Sequence, residues 1–308
     1  MLAMPEPPLK ISTADGPTFV MDPVPGFLVA TVAPVMLRSL DTLESRCMGT
    51  AFCITHLANG QTVYVTARHV IDSLLDSDNT ESFLLLPKNT SDPSKANDLV
   101  GVQIEQISTA ASHCDVAMLR IDLRTAVVPI EARFRIFPLA FRQATIGQST
   151  LAFGYSRMEV DQSGSTLLRD FRVSEGTVEE IHNAKRDCSL STFPTFMTDA
   201  LYLPGMSGGP VFNTTNGIIG VISHAILSEK GSAHCGYAAS IAGLAELKID
   251  LEQDDGTERE FTVPELLANG LISMAPQGGV TIDRSDSGVR LEWLPTDSET
   301  PPNMEGSG

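Results

Sequence analysis

From residue 26 onward the chain is broken into short apolar runs of strand length, at residues 27–37, 49–55, 62–66, 83–87, 99–107, 116–121, 150–155, 171–181, 195–198, 210–213, 218–223 and 235–241. Many are rich in Val, Ile, Thr and Phe, and Gly, Asn, Asp, Ser or Pro separate them. Branched and aromatic side chains suit a pleated, half-buried surface, and turn residues at this spacing indicate an all-β sandwich or barrel. Helix signals are few. They fall at 70–75, 241–247 and 264–267, the last opening on Pro264, whose fixed φ suits a first helical turn.

The connections at 76–82, 88–98, 156–170 and 183–192 are longer and more polar than a barrel needs, a length more often found in functional or mobile loops. Residues 1–25 hold six prolines and little periodicity, which predicts an extended arm. Beyond residue 251 the pattern predicts a turn at 254–258, a hairpin pairing 280–282 with 289–294, and disorder over 295–308.

Charge changes the picture of the tail. The chain of 308 residues has a formal net charge of −17, and residues 250–308, with 13 acidic and 3 basic groups, carry −10 of it. So acidic a chain argues against nucleic-acid or anionic-membrane binding, and the tail's simplest reading is a solvated segment. No run reaches membrane-spanning length. The N-terminus lacks a basic start followed by an apolar run, so a cytoplasmic location is expected, or a periplasmic or secreted one if that end has been processed. The five cysteines, Cys47, Cys53, Cys114, Cys188 and Cys235, are scattered and include no CxxC pair. Reduced thiols are the expected state. His113 and Cys114 lack a second pair at ligand spacing, so no metal site is expected.

One stretch is not core-like: Pro204-Gly205-Met206-Ser207-Gly208-Gly209-Pro210, preceded by Thr198-Asp199-Ala200. Glycines offer nothing to pack and present backbone, so a serine among them suits a nucleophile beside N–H groups that stabilise an oxyanion. A serine hydroxyl needs a base, and the usual one is an imidazole oriented by a buried carboxylate. His69, just past the apolar strand in Tyr64-Val65-Thr66-Ala67-Arg68-His69-Val70-Ile71, stands where a short helix can hold it at an edge. Asp115 opens the strand Val116-Ala117-Met118-Leu119-Arg120-Ile121, which sets its carboxylate against the core in need of partners. The order His69, Asp115, Ser207 is that of a double-barrel serine protease and of neither subtilisin-type nor α/β-hydrolase enzymes.

On these blocks the chain resembles the chymotrypsin-like superfamily, closest to the non-zymogen bacterial branch that includes the high-temperature-requirement A (HtrA/Deg) proteases. Val173-Ser174-Glu175-Gly176-Thr177-Val178 and Gly220-Val221-Ile222-Ser223 match more weakly, and the similarity runs from about residue 26 to about 241. The resemblance implies two six-stranded antiparallel β-barrels, one over about 26–125 and the other over about 145–243, followed by the acidic extension 244–308. It implies a serine endopeptidase working through an acyl-enzyme, without cofactor or metal. Ser207 would be the nucleophile, His69 the base and Asp115 its orienting acid, with the N–H groups of Gly205 and Ser207 as the oxyanion hole. Ser223, His224 and Ala225 would pair with a protein or peptide substrate as an added strand. Leu201 would floor the primary specificity pocket and favour small or medium apolar side chains.

Two departures carry information. Trypsin-like secreted enzymes place an aspartate before the serine and an Ile-Val-Gly-Gly activation site upstream; here Met206 stands before Ser207 and that site is absent. Activation by N-terminal cleavage is therefore not expected. No PDZ domain is recognised after the second barrel, so the oligomeric state and degradation role of HtrA proteins do not carry over. Two alternatives stay open: a non-catalytic peptide-binding pseudoprotease, and a partner-triggered protease dedicated to one cellular substrate.

Overall fold

The computed structural model describes residues 18–21, 24, 26–87, 99–109, 114–125, 134–160, 167–183, 193–227, 233–253, 255–276, 279–285 and 288–293. Strands β2 (Val32–Ser39), β3 (Ser45–His56), β4 (Gln61–Thr66), β5 (Thr80–Pro87), β6 (Leu99–Thr109) and β7 (Ala117–Asp122) close into a barrel in the order β2-β3-β4-β7-β6-β5. Strand β6 shows the period-two pattern that drives closure: Val102 and Ile104 are buried, while Gly101, Gln103 and Glu105 face out. All six residues of β4 are buried. Its surroundings explain this, since Tyr64 Oη donates to the Ala30 carbonyl (2.7 Å) and the Glu252 N–H to Gln61 Oε1 (2.8 Å), so chain lies over it from both ends of the sequence.

The second barrel joins β8 (Ser149–Val160), β9 (Leu167–His182), β10 (Thr195–Thr198), β11 (Pro210–Asn213), β12 (Ile218–Leu227) and β13 (Ala233–Ser240). The order is β9-β10-β13-β12-β11-β8, and β8 pairs back to β9. Every pairing in both barrels is antiparallel. Phe153 stacks on Phe171 and meets Phe212 edge-on, and Tyr155 meets Phe171 edge-on. These aromatics share one continuous apolar cluster with the first barrel. Tyr155 Oη also donates to the Val32 carbonyl (3.2 Å), so one side chain bonds across the two barrels.

Three segments differ from the pattern reading. The run 27–37 splits into helix α1 (Gly26–Thr31) and β2, because a continuous apolar run does not distinguish a buried helix from a strand. The proline-rich arm contributes β1 (Thr18–Val20), which pairs with β9 in the register Thr18 to Ser174. The helices expected at 241–247 and 264–267 do form, as a 3-10 helix (Ile241–Glu246) and helix α3 (Val263–Ala268), but with a hairpin of β14 (Lys248–Glu252) and β15 (Glu258–Thr262) they pack on the body in place of a solvated segment. Ile249, Leu251, Phe261, Val263, Leu266 and Leu267 are buried in the same cluster as the first barrel.

Acidic groups of that hairpin face basic and amide groups of the barrel: Gln106 Nε2 donates to Asp250 Oδ2 (2.7 Å), and Arg120 Nη1 to the Asp250 carbonyl (2.8 Å) and Glu258 Oε1 (3.0 Å). Part of the charge excess is thus neutralised within the fold. The expected second hairpin forms as β16 (Val280–Ser285) with β17 (Gly288–Trp293), while the disorder expected over 295–308 lies outside the described residues. Among the described residues no helix is long and apolar enough to cross a membrane.

Candidate active site

His69 enters the site from helix α2 (Arg68–Leu75), which follows β4 directly. Val70, Ile71 and Leu74 form its buried face, and this leaves His69 at the first turn with 46% of its side chain exposed. No side chain of the capping residue Ala67 serves the helix start. Asp115 does that work from outside, its Oδ1 accepting the His69 N–H at 2.9 Å, a first-turn donor that otherwise has no partner within the helix.

Asp115 is 4% exposed, just before β7, and its carboxylate is surrounded by donors. His69 Nδ1 lies 3.0 Å from Oδ2 and 3.2 Å from Oδ1, and Ser223 Oγ of β12 donates to Oδ2 at 2.5 Å. Burial pushes the pKa of this carboxyl up, but the hydrogen bonds and charge of His69, the Ser223 hydroxyl and the His69 N–H outweigh it, leaving the pKa below the ordinary value of 3.8. The carboxylate is ionised and aims its negative charge at the imidazole. Ser223 Oγ also lies 3.1 Å from His224 Nδ1. Because that hydroxyl spends its proton on Asp115, the donor in this second contact is His224 Nδ1–H. The His224 ring stacks on Tyr237 with centroids 4.7 Å apart, and burial lowers its pKa from 6.5.

Ser207 lies in the loop between β10 and β11, and its hydroxyl donates to the Ser223 carbonyl at 3.0 Å. Among the described residues it makes no hydrogen bond to His69. Met206 before it is fully buried, its Cβ and Cγ against Gly154 and its Sδ accepting the Leu203 N–H at 3.4 Å. Gly205 and Gly208 take φ of +91° and +90°, which only glycine adopts readily. The turn is dense with internal bonds: the N–H of Met206 goes to Leu203 O, of Gly208 to Ile222 O and of Gly209 to Met206 O. The N–H groups of Gly205 and Ser207 stand apart, with no acceptor among the described residues.

Two placements were not legible in advance. Thr50 of β3 donates its N–H to the Ser207 carbonyl at 2.7 Å and its hydroxyl to the Gly205 carbonyl at 2.9 Å. The available signal was Gly49-Thr50 inside an apolar strand, since a strand glycine marks a close backbone approach; a Cβ on Gly49 would sit 2.7 Å from Ser207 O. The other is Tyr202. Leu201 is buried, with its carbonyl accepting Ser174 Oγ at 2.6 Å. Its neighbour Tyr202 lays its ring against Gly236, which pairs with both Thr198 and Ala225, and shares a hydrogen bond with Thr198 Oγ1. Of the two residues singled out beside Asp115, His113 lies outside the described residues. Cys114 is a buried thiol pushed up to about 12 by burial and packed against Gly243.

A double barrel of this kind, with a glycine-framed serine in one half and a buried Asp–His pair in the other, has the architecture of a trypsin-like peptidase. The family model described as the trypsin-like peptidase domain matches residues 49–221, more than half of the chain, and the chain belongs to that family. It is accordingly a protease, with protein or peptide substrates. No curated protein matches the sequence. Solved structures with a similar fold include the Rv3671c protease from M. tuberculosis in its active form, 17% identical, covering 79% of this chain and 92% of that one, with a TM-score of 0.45. The HtrA-type protease AlgW is 20% identical, covering 70% of this chain and 58% of that one, with a TM-score of 0.44. The MamO protease domain from Magnetospirillum magneticum is 16% identical, covering 70% and 93%, with a TM-score of 0.44.

Proposed function

We propose that the chain is a serine endopeptidase that cleaves peptide bonds through an acyl-enzyme, with Ser207 as nucleophile, His69 as base and Asp115 as the acid that orients it. The observation that carries this reading is the link Ser223 makes between the two halves of the site: its hydroxyl bonds Asp115 of the Asp115–His69 pair, its carbonyl accepts the hydroxyl of the glycine-framed Ser207, and the N–H groups of Gly205 and Ser207 have no acceptor among the described residues. Asp115 holds the proton on Nδ1 of His69, which leaves the lone pair of Nε2 to receive the serine proton. Attack of Oγ on the scissile carbonyl forms the C–O bond and moves the carbonyl electron pair onto oxygen, where the N–H groups of Gly205 and Ser207 receive it. The oxyanion re-forms the carbonyl as the C–N bond breaks and His69 gives its proton to the leaving amine; water, giving a proton to His69, then attacks the acyl-enzyme in the same way and releases the acid and the Ser207 hydroxyl.

Substrate binding and activation of the serine are coupled in this scheme. A peptide pairing with residues 223–225 as an added strand takes the Ser223 carbonyl with its own N–H. That carbonyl is the present acceptor of the Ser207 hydroxyl, so the arriving substrate frees the hydroxyl to rotate toward His69. The Tyr202 ring lies against Gly236, whose strand partner Ala225 belongs to the segment proposed to hold the substrate, a place from which it would limit the side chain before the scissile bond. This supports a preference for small apolar side chains and narrows what Leu201 alone suggested. Buried Met206 supports a loop ordered without a newly cut N-terminus.

A fluorophosphonate probe should label the full chain, and Ser207→Ala should lose both labelling and proteolysis while keeping its thermal unfolding midpoint. Equal cleavage by Ser207→Ala rejects the assignment, and a wild-type protein that binds peptides but is neither labelled nor active is a pseudoprotease. Tyr202→Ala should extend cleavage to larger apolar residues in a peptide library; an unchanged profile removes Tyr202 as the determinant.

A further inference from the structure

We propose that Thr50, a residue of the first barrel, is the positioning residue that holds the oxyanion loop of the second barrel in its working conformation. The inference rests on the serine-peptidase reading and names what orders the site in the absence of an activating aspartate.

The loop needs an external restraint because of its own composition. Gly205 and Gly208 flank Met206 and Ser207, and glycine lets the peptide planes on either side rotate at little steric cost. The peptide between Gly205 and Met206 is nevertheless tied at both ends: its N–H goes to Leu203 O at 3.0 Å, and its carbonyl accepts the Thr50 hydroxyl at 2.9 Å. The peptide between Ser207 and Gly208 is held in the same way, its N–H on Ile222 O and its carbonyl on the Thr50 N–H, both at 2.7 Å. The peptide that carries the Ser207 N–H lies between these two, and the Gly205 N–H directly precedes them. Fixing the two outer carbonyls therefore aims the two unspent donors.

Thr50 is free for this task because the barrel leaves it so. On β2 it faces Pro34, which has no N–H to give, and on the other side β4 ends at Thr66. The Thr50 carbonyl is capped by Thr66 Oγ1 (2.7 Å), and its hydroxyl accepts the Tyr155 N–H of β8 (3.0 Å) while donating to Gly205. Fully buried and with every polar atom engaged, this side chain has one orientation available. The fit is close: a Cβ on Gly208 would lie 2.0 Å from the Thr50 carbonyl.

The test compares full-length wild type, Thr50→Val, which keeps the shape and removes the hydroxyl, and Thr50→Ser, which keeps the hydroxyl. Hydrolysis of a trialanine p-nitroanilide, phosphonylation by a fluorophosphonate and amide hydrogen exchange of residues 203–209 are measured on each. Thr50→Val should lower kcat about 10- to 100-fold with KM within about threefold, the pattern of an interaction expressed in the transition state. Phosphonylation should slow in parallel, exchange should rise in the 203–209 segment above the rest of the molecule, and Thr50→Ser should restore most of the lost rate. If Thr50→Val does not fold, Thr50→Ala carries the same expectation. A kcat within about twofold of wild type for the hydroxyl-free variant overturns the proposal, as do equal losses in Thr50→Ser and Thr50→Val. An exchange increase spread over both barrels overturns it too, because the role is then structural. A wild type that is neither labelled nor active defeats the peptidase reading instead, and in that case the exchange of residues 203–209 still decides whether Thr50 holds the loop.

Discussion

Asp115 illustrates how much of the site is decided by single donors. Three groups bond its carboxylate, and with the charge of His69 they keep its pKa below 3.8 against the opposing effect of burial. A carboxyl with a depressed pKa in the fold stabilises the protein above the unfolded-state value, and that contribution is lost as pH falls through the folded value. Ser223→Ala removes the 2.5 Å donor and raises the folded pKa, so the acid unfolding midpoint should move to higher pH, read by circular dichroism during an acid titration. Peptidase activity should fall roughly tenfold in the same variant, since the carboxylate that orients the imidazole is then itself anchored by one bond fewer. At Gly208 the constraint is steric. An alanine there meets φ of +90° and the Thr50 carbonyl together, and Gly208→Ala should cost roughly 3 kcal/mol or more in a denaturant titration.

At the scale of elements, helix α2 and the β14–β15 hairpin read differently in sequence for a physical reason. The buried face of α2 is encoded within eight residues, whereas the hairpin's inward residues Ile249, Leu251 and Phe261 find their partners in strands more than a hundred residues earlier. Acidity alone predicts a solvated tail, because net charge carries no information about the groups a segment faces. Removing the chain after residue 247 should expose the apolar ground of the first barrel and yield a protein that binds a hydrophobic dye and melts without cooperativity, because these burials are large against a net stability of about 5–15 kcal/mol. Within the hairpin contact the two arginines differ. Arg120 has a 12% exposed side chain and bonds Asp250 and Glu258, so Arg120→Leu should destabilise by about 1–3 kcal/mol. Arg124, whose own side chain is 45% exposed as it bridges Glu252 and the buried Asp122, should show a smaller effect in the same thermal melt.

For the whole molecule, partly and fully buried titratable groups shape the pH range of stability. Burial lowers the pKa of His56 and His224 below 6.5, so the fold favours their neutral forms; this stability is present above 6.5 and is lost as pH falls below it, when the unfolded chain takes up protons. Burial raises the thiols of Cys47 to about 11 and of Cys114 to about 12, against 9.0 in the open chain, so their contribution is present below 9.0 and is lost as pH rises beyond it. Thermal midpoints across pH should therefore form a plateau between about 6.5 and 9 and fall on both sides. Replacing His224 with glutamine should flatten the acid side, and an unaltered slope there would assign it to other groups.

The sequence by itself determined what is local or chemically distinctive. Period-two runs and turn residues implied strands, a glycine frame marked Ser207, and apolar contexts placed His69 at a strand end and Asp115 at a strand start. Those features depend on neighbours within a few residues, which is the range that pattern and propensity report. Only the tertiary structure decided that a threonine of the first barrel bonds the loop of the second, that a tyrosine lies on Gly236, and that an acidic extension supplies part of the core. Each of these depends on contacts between residues far apart in the chain, whose side chains have no local signature and acquire their roles when barrel closure brings them within hydrogen-bonding or van der Waals distance.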